Sequence, residues 1–132
     1  MSMADLLEKY SGTIDVFVIL ESGRNYEILV DEDLGTRANK VYFRPSASHN
    51  DPGRSQKIQG TYSSNRPALI FDDGWWTGDS FRETVNFLKN QGYELEQIYG
   101  YFVNGEVSSS LKGSQEYFDT AKNILNRLPK PV

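Results

Sequence analysis

The segment Asp72-Asp73-Gly74-Trp75-Trp76-Thr77-Gly78-Asp79-Ser80 gathers the residue types best able to do chemistry in this 132-residue chain. It follows the apolar run Pro67-Ala68-Leu69-Ile70-Phe71, which has the composition of a buried strand, and precedes Phe81, Val85 and Leu88 at helical spacing. A loop between a strand and a helix start presents free backbone N–H groups and the positive end of the helix dipole, which favour an anion such as phosphate. Gly78 lets the backbone approach closely, and Thr77 and Ser80 add hydroxyl donors. The adjacent carboxylates Asp72 and Asp73 would repel that phosphate; they suit hydroxyls or a divalent cation. A ligand with a phosphate at one end and vicinal hydroxyls with Mg²⁺ at the other satisfies both halves, and a 5-phosphoribosyl group has that form.

The elements that must position this loop can be read along the chain. Met3, Leu6 and Leu7 share one face of a short helix over residues 2–9, a packing appendage. Ile14 to Leu20 is a β-branched and aromatic run that fits a strand covered on both faces. The polar stretch Glu21-Ser22-Gly23-Arg24-Asn25 ends it, and Tyr26, Leu29, Val30 and Leu34 then predict a helix closed by Gly35. Lys40 to Arg44 reads as a second strand, Pro45 to Arg66 as a long polar loop without periodicity, and Leu95 to Val103 as a further strand after a helix closed by Gln91-Gly92. Tyr99, Tyr101 and Phe102 are expected in the core. Asn104-Gly105 marks a turn, with Val107 in a small hairpin partner, and Ser114 caps a last helix of about residues 114–128 that Pro129 stops.

Alternating strands and helices imply an α/β fold: a mostly parallel sheet with flanking helices and right-handed crossovers, in a single domain over residues 1–132. Ligands in such sheets sit beyond the carboxyl ends of the strands, where the loops at Glu21 to Asn25, Pro45 to Arg66 and Asp72 to Ser80 should converge. A net charge of −4 and a pI near 5.0 argue against a nucleic-acid partner, which needs a basic surface. The chain has no Cys and one His, His49, so no disulfide framework or thiolate metal site is available and a zinc site is not expected. No apolar run reaches the ~18 residues of a membrane span, and residues 1–10 carry Asp5 and Glu8 in place of a signal sequence; the expectation is a cytoplasmic protein without a membrane partner.

The sequence Leu69-Ile70-Phe71-Asp72-Asp73-Gly74-Trp75-Trp76-Thr77-Gly78-Asp79-Ser80 resembles the phosphoribosyl pyrophosphate (PRPP) motif of type I phosphoribosyltransferases: apolar residues, two acids, three variable positions, Thr-Gly, one variable position, then Ser or Thr. The resemblance, closest to orotate- and adenine-type members, implies a Rossmann-like core over about residues 14–103. It implies that Asp72 and Asp73 hold the ribose hydroxyls while Thr77, Gly78, Asp79 and Ser80 cradle the 5-phosphate, with Gly74, Trp75 and Trp76 in the variable part of the motif. Glu21-Ser22-Gly23-Arg24 resembles the family's pyrophosphate loop, and Pro45 to Arg66 stands where the family has its flexible catalytic loop. Ile58-Gln59-Gly60 resembles the element by which orotate-type members return to the sheet.

By this resemblance the chain is a Mg²⁺-dependent phosphoribosyltransferase and a homodimer, transferring the 5-phosphoribosyl group to a nitrogenous base with release of pyrophosphate. The ion is held mainly through the ligand, with Asp72 and Asp73 as candidate protein ligands. Arg44 joins the pyrophosphate loop, and Arg54, Lys57 and Asp73 are the candidate catalytic residues. Two departures stand out. Pro45 follows Arg44 where the family often has an Arg-Lys pair, and the hood that recognises the base is reduced. Trp75 and Trp76 either stack on a base or pack beneath it. The departures favour the second reading, a non-catalytic PRPP or nucleotide sensor of the same fold. An aspartyl-phosphate receiver fits poorly, because Glu21-Ser22 follows the first strand where a receiver has its acid pair.

Overall fold

The computed structural model describes residues 10, 12–46, 53–74, 79–94 and 97–103. Strand β1 spans Ile14–Ile19, and every one of its residues is buried, as a run of β-branched and aromatic side chains requires. A 3₁₀ turn over Ser22–Tyr26 leads directly into helix α1, Glu27–Leu34, which buries Val30 and Leu34 and ends at Gly35 with φ of 55°. That backbone angle is one glycine adopts without a Cβ clash. Tyr26 was expected on the apolar face of this helix but stands exposed at the end of the turn, which leaves a stripe of Leu29, Val30 and Leu34.

Strand β2 covers Ala38–Arg44, β3 Lys57–Gln59, β4 Ala68–Asp72 and β5 Ile98–Phe102; helix α2 runs Asp79–Asn90 before β5. The five strands form one sheet in the order β3-β2-β1-β4-β5. β1 pairs in parallel with β2 and β4, and β4 with β5, while β3 runs antiparallel to β2. This is the mostly parallel α/β sheet that the alternating pattern predicted.

Strand β3 corrects the reading from composition alone. Pro45 to Arg66 has no periodicity and reads as loop, yet Lys57, Ile58 and Gln59 pair with Arg44, Phe43 and Tyr42, where the resemblance at Ile58-Gln59-Gly60 implies a return to the sheet. All three are exposed, so no apolar alternation marks them. Gly60, with φ of 122°, follows at once, and a Cβ there would lie 3.2 Å from the Lys40 carbonyl oxygen.

The core lies on both faces of the three central strands. Phe81, Val85 and Leu88 of α2 are buried, as their spacing predicted, and Phe87 tilts against Phe43. Ile98, Tyr99, Tyr101 and Phe102 of β5 are core residues too, with Phe71 and Tyr101 rings stacked at 5.9 Å.

Asp15 stands fully buried in β1 among these side chains. Its carboxylate accepts hydrogen bonds from Asn39 Nδ2 at 2.7 Å, the Ser63 amide at 3.0 Å, Arg66 Nε at 3.3 Å and the Tyr93 hydroxyl at 3.3 Å. Arg66 Nη2 lies 3.2 Å from its other oxygen. A buried carboxylate is tolerable only when so satisfied. It fixes the amino edge of the sheet, because its partners sit in β2 and just before β4 and β5.

The expected helix over residues 2–9, the hairpin at Asn104-Gly105 and the helix of about residues 114–128 lie outside the described residues. Among the described residues, no helix is long and apolar enough to cross a membrane.

Candidate functional site

Because β1, β2, β4 and β5 run the same way, their carboxyl ends share one edge: Leu20-Glu21, Arg44-Pro45, Asp72-Asp73 and Val103. β3 runs opposite, so its first residue, Lys57, arrives at that edge beside Arg44. The three loops expected to converge there all leave their strands at that edge.

Two of them touch directly. Ser22 Oγ donates to Asp72 Oδ1 at 2.6 Å, and the Asp73 amide donates to the same oxygen at 2.7 Å. Gly23 is buried against the end of β4, where a Cβ would fall 2.7 Å from the Phe71 carbonyl oxygen and 3.4 Å from Asp72 Cα. Only a residue without a side chain fits that contact. The Leu20–Glu21 peptide bond, just before this turn, is cis. On the other side, the Val103 amide donates to the Asp72 carbonyl at 3.1 Å, so β5 also grips this acid.

The two acids are therefore unlike each other. Asp72 is the last residue of β4, 7% exposed, and Asp73 begins the loop and is half-buried. Burial pushes the Asp72 carboxyl up to about 7, against the hydrogen bonds from Ser22 and the Asp73 amide, which favour the charged form. Asp72 thus titrates near neutrality.

Beyond the carboxyl end of β1 opens a cleft of about 370 Å³, with Leu20 and Ile58 as its apolar lining and Glu21, Tyr42, Arg44, Lys57 and Gln59 as its polar one. Arg44 Nη2 donates to the Ser55 carbonyl at 3.0 Å, while its buried Nε finds no hydrogen-bond partner among the described residues. The Arg24 guanidinium sits 5.8 Å from the centroid of the Tyr42 ring, and the Tyr42 hydroxyl donates to Glu27 of α1. Two cations, Arg44 and Lys57, thus line one concave surface, an arrangement suited to an anion, and Arg24 lies over the ring of Tyr42, which lines it too.

Arg54 is placed differently. Its Nε donates to the carbonyls of Pro45 at 3.0 Å and Ser46 at 3.3 Å, so it fastens the segment after β2 to itself. Glu83 of α2 grips the same segment, accepting from the Ser46 amide and hydroxyl at 2.7 Å each. Sequence reasoning singled out neither Glu83 nor Asp15. Asp15 could have been noticed as a lone carboxylate in an apolar strand; Glu83 carries no signal, since it reads as an ordinary solvated helix position.

Asp79 and Ser80 open α2, and the buried Thr84 hydroxyl donates to the Ser80 carbonyl at 2.7 Å. Trp75, Trp76, Thr77 and Gly78 lie outside the described residues, as does His49. Among the described residues, no cluster of three or more His, Cys, Asp or Glu could hold a metal ion by itself. With Asp72 Oδ1 already engaged, the donor set suits an ion that arrives on its ligand's own oxygens.

No protein-family model matches the chain, and no curated protein matches it in sequence. Solved structures do match. The purine phosphoribosyltransferase from Pyrococcus horikoshii Ot3 is 15% identical, over 83% of this chain and 71% of that one, with a TM-score of 0.60. The APRTase from Giardia lamblia, complexed with 9-deazaadenine, is also 15% identical, over 89% of this chain and 70% of that one, with a TM-score of 0.59.

Proposed function

We propose that this chain, which has the type I phosphoribosyltransferase-like fold, binds PRPP with Mg²⁺ and transfers its 5-phosphoribosyl group to a nitrogenous base. The observation that carries the reading is the meeting of the Ser22-Gly23 turn with Asp72 at the carboxyl edge of the sheet, where Arg44 and Lys57 also arrive. One elongated ligand that is acidic at two ends and hydroxylated in the middle accounts for all of these groups at once.

In this reading Asp72 and Asp73 accept hydrogen bonds from the ribose hydroxyls. Thr77, Gly78, Asp79 and Ser80, at the amino end of α2, hold the 5-phosphate by backbone N–H and hydroxyl groups. Gly74, Trp75 and Trp76 complete that loop, with the two indoles beside the base. Glu21, Ser22, Gly23, Arg24 and Arg44 receive the pyrophosphate. As the bond from C1 to pyrophosphate oxygen breaks and the bond from C1 to the base nitrogen forms, negative charge grows on the leaving group. Lys57 is assigned to offset it while Arg54 fastens the Pro45-Ser46 segment, and the proton of the base nitrogen passes to the departing pyrophosphate. Bound Mg²⁺ would neutralise charge on the pyrophosphate and the ribose oxygens. No covalent nucleophile is needed, because the transition state has oxocarbenium character and calls for water exclusion and fixed charge. The protein would act in the cytoplasm on small molecules, as a homodimer.

A second reading, a PRPP or nucleotide sensor without turnover, is favoured by one observation: Pro45 occupies the position after Arg44 where a second basic residue would serve the leaving group. Incubation of the protein with PRPP, Mg²⁺ and each common nucleobase separates the two. Nucleotide and pyrophosphate formed with one base supports the enzyme; calorimetric binding of PRPP with no product from any base supports the sensor; absence of both overturns the phosphoribosyl reading.

A further inference from the structure

The turn after β1 and the end of β4 are fifty residues apart in sequence, yet they are joined at two adjacent points. Ser22 Oγ donates to Asp72 Oδ1 at 2.6 Å, and Gly23 lies so close to the Phe71 carbonyl that a Cβ would meet it at 2.7 Å. The oxygen that receives Ser22 also receives the Asp73 amide at 2.7 Å. One buried carboxylate oxygen therefore sets both the direction of the Ser22 side chain and the backbone orientation at Asp73.

We propose that Ser22 is a positioning residue that couples the two ligand-binding loops through Asp72, so that filling the ribose-phosphate side orders the loop that takes pyrophosphate, and the reverse. The inference rests on the phosphoribosyl reading above, since it assigns the two loops to two parts of one ligand. The physical ground is that a short buried hydrogen bond fixes the direction of both its partners. A loop already held by one ligand need not lose that freedom again when the second ligand arrives. Hydroxyl and carboxylate are the right pair for this, because the contact depends on a single rotatable donor: removing the Ser22 oxygen disconnects the loops without taking away any cation. Gly23 keeps the distance short but has no polar side-chain atom, so it holds the loops close and cannot itself orient a carboxylate.

Reciprocity makes the coupling measurable. Magnesium pyrophosphate and 1,4-anhydroribitol 5-phosphate serve as probes; the second has the vicinal hydroxyls and 5-phosphate with no substituent at C1, so both fit together. Calorimetry gives the affinity for magnesium pyrophosphate with and without saturating anhydroribitol phosphate. The ratio of the two affinities is the readout, and it is insensitive to any uniform loss of binding by a variant. The parent is expected to show roughly a five- to tenfold enhancement, within the ordinary range of coupling between sites. S22A should bring the ratio to within about twofold of unity, and S22T, which keeps the hydroxyl, should restore it. Circular dichroism establishes that each variant is folded. If S22A retains the parent's ratio, or S22T fails to restore it, the coupling role is overturned while the phosphoribosyl reading stands. If the parent binds neither probe, the functional reading falls and the coupling with it.

Discussion

Arg44 and Lys57 are register partners across β2 and β3, which brings the two cations together at the carboxyl edge of the sheet above the cleft that Glu21 and Tyr42 also line. Lys57 is exposed on an edge strand and Arg54 is bound to the Pro45 and Ser46 carbonyls, so the two candidates should respond differently to truncation. With the base that gives product, Lys57→Ala should lower kcat by roughly 10- to 100-fold with a smaller change in KM, because a cation at the leaving group acts mainly on developing charge. Arg54→Ala should raise KM together with a fall in kcat, through loosening of the segment it fastens. Equal, small effects of both substitutions on steady-state parameters would remove the leaving-group role from this loop.

Asp72 should make stability fall as pH rises. Its folded carboxyl is pushed up to about 7 by burial, whereas in the unfolded chain it titrates near 3.8, so between these values the folded state holds a proton that the unfolded state has lost. The contribution is complete below the unfolded value and is lost as pH rises through the folded one, by on the order of 2–4 kcal/mol in total. Urea unfolding from pH 4 to pH 8 should show a steeper decline for the parent than for Asp72→Asn. Parallel curves for the two proteins would contradict the assignment.

Gly23→Ala should cost stability and ligand together. The added Cβ would meet the Phe71 carbonyl oxygen at 2.7 Å, so either the turn or the end of β4 must move, at about 1–3 kcal/mol. Gly12→Ala is the control, since a Cβ there meets nothing within 4 Å. Thermal melts of both variants check the first half, and calorimetry with PRPP and Mg²⁺ the second. An unshifted melt for Gly23→Ala would show that the close packing is not held in solution.

Asp15→Ala should be among the most damaging single substitutions in the described residues. It removes the carboxylate partner of the Arg66 guanidinium, the Ser63 N–H and the Tyr93 hydroxyl, and one of the two acceptors of the Asn39 amide, which keeps the Thr61 carbonyl. Loss of one side of such a network costs roughly 3–5 kcal/mol. Arg66→Ala should cost less, roughly 1–3 kcal/mol, because Arg66 is partly exposed and Asp15 keeps its other donors. Denaturant midpoints give both numbers, and the reverse order would argue against Asp15 as the centre of the network.

Asp73→Asn tests the ligand side. It should weaken PRPP binding by about 1–3 kcal/mol with little loss of fold stability, since Asp73 stands half-buried at the start of the loop and meets the ribose hydroxyls in the proposed reading. Ribose without its 5-phosphate should compete far less well than ribose 5-phosphate. Equal competition in a displacement titration would count against the phosphate cradle at Thr77 to Ser80.

What the sequence determined by itself was whatever depends on neighbours along the chain. Ile14 to Ile19, interrupted by Asp15 alone, and Ala68 to Phe71 read as buried strands, because nearly continuous apolar runs need cover on both faces. Phe81, Val85 and Leu88 fix the buried face of α2 by spacing alone, and the alternation of elements made a mostly parallel sheet legible. The order of residues from Asp72 to Ser80 likewise pointed to the carboxyl edge as the candidate site. The tertiary structure alone decided the contacts that cross long stretches of chain. β3 carries three exposed residues with no alternation to announce them, and exists because the edge of β2 offers free backbone groups to pair with. Ser22 reaches Asp72, and Asp15 gathers Asn39, Ser63, Arg66 and Tyr93, because the strand order β3-β2-β1-β4-β5 brings β1 between β2 and β4. A local pattern records which face of an element is apolar. It does not record which neighbour will cover that face, and the neighbour decides whether a polar side chain is solvated, as Asp15 and Ser22 would be on an isolated segment, or built into the fold, Asp15 at the amino edge of the sheet and Ser22 at the carboxyl edge.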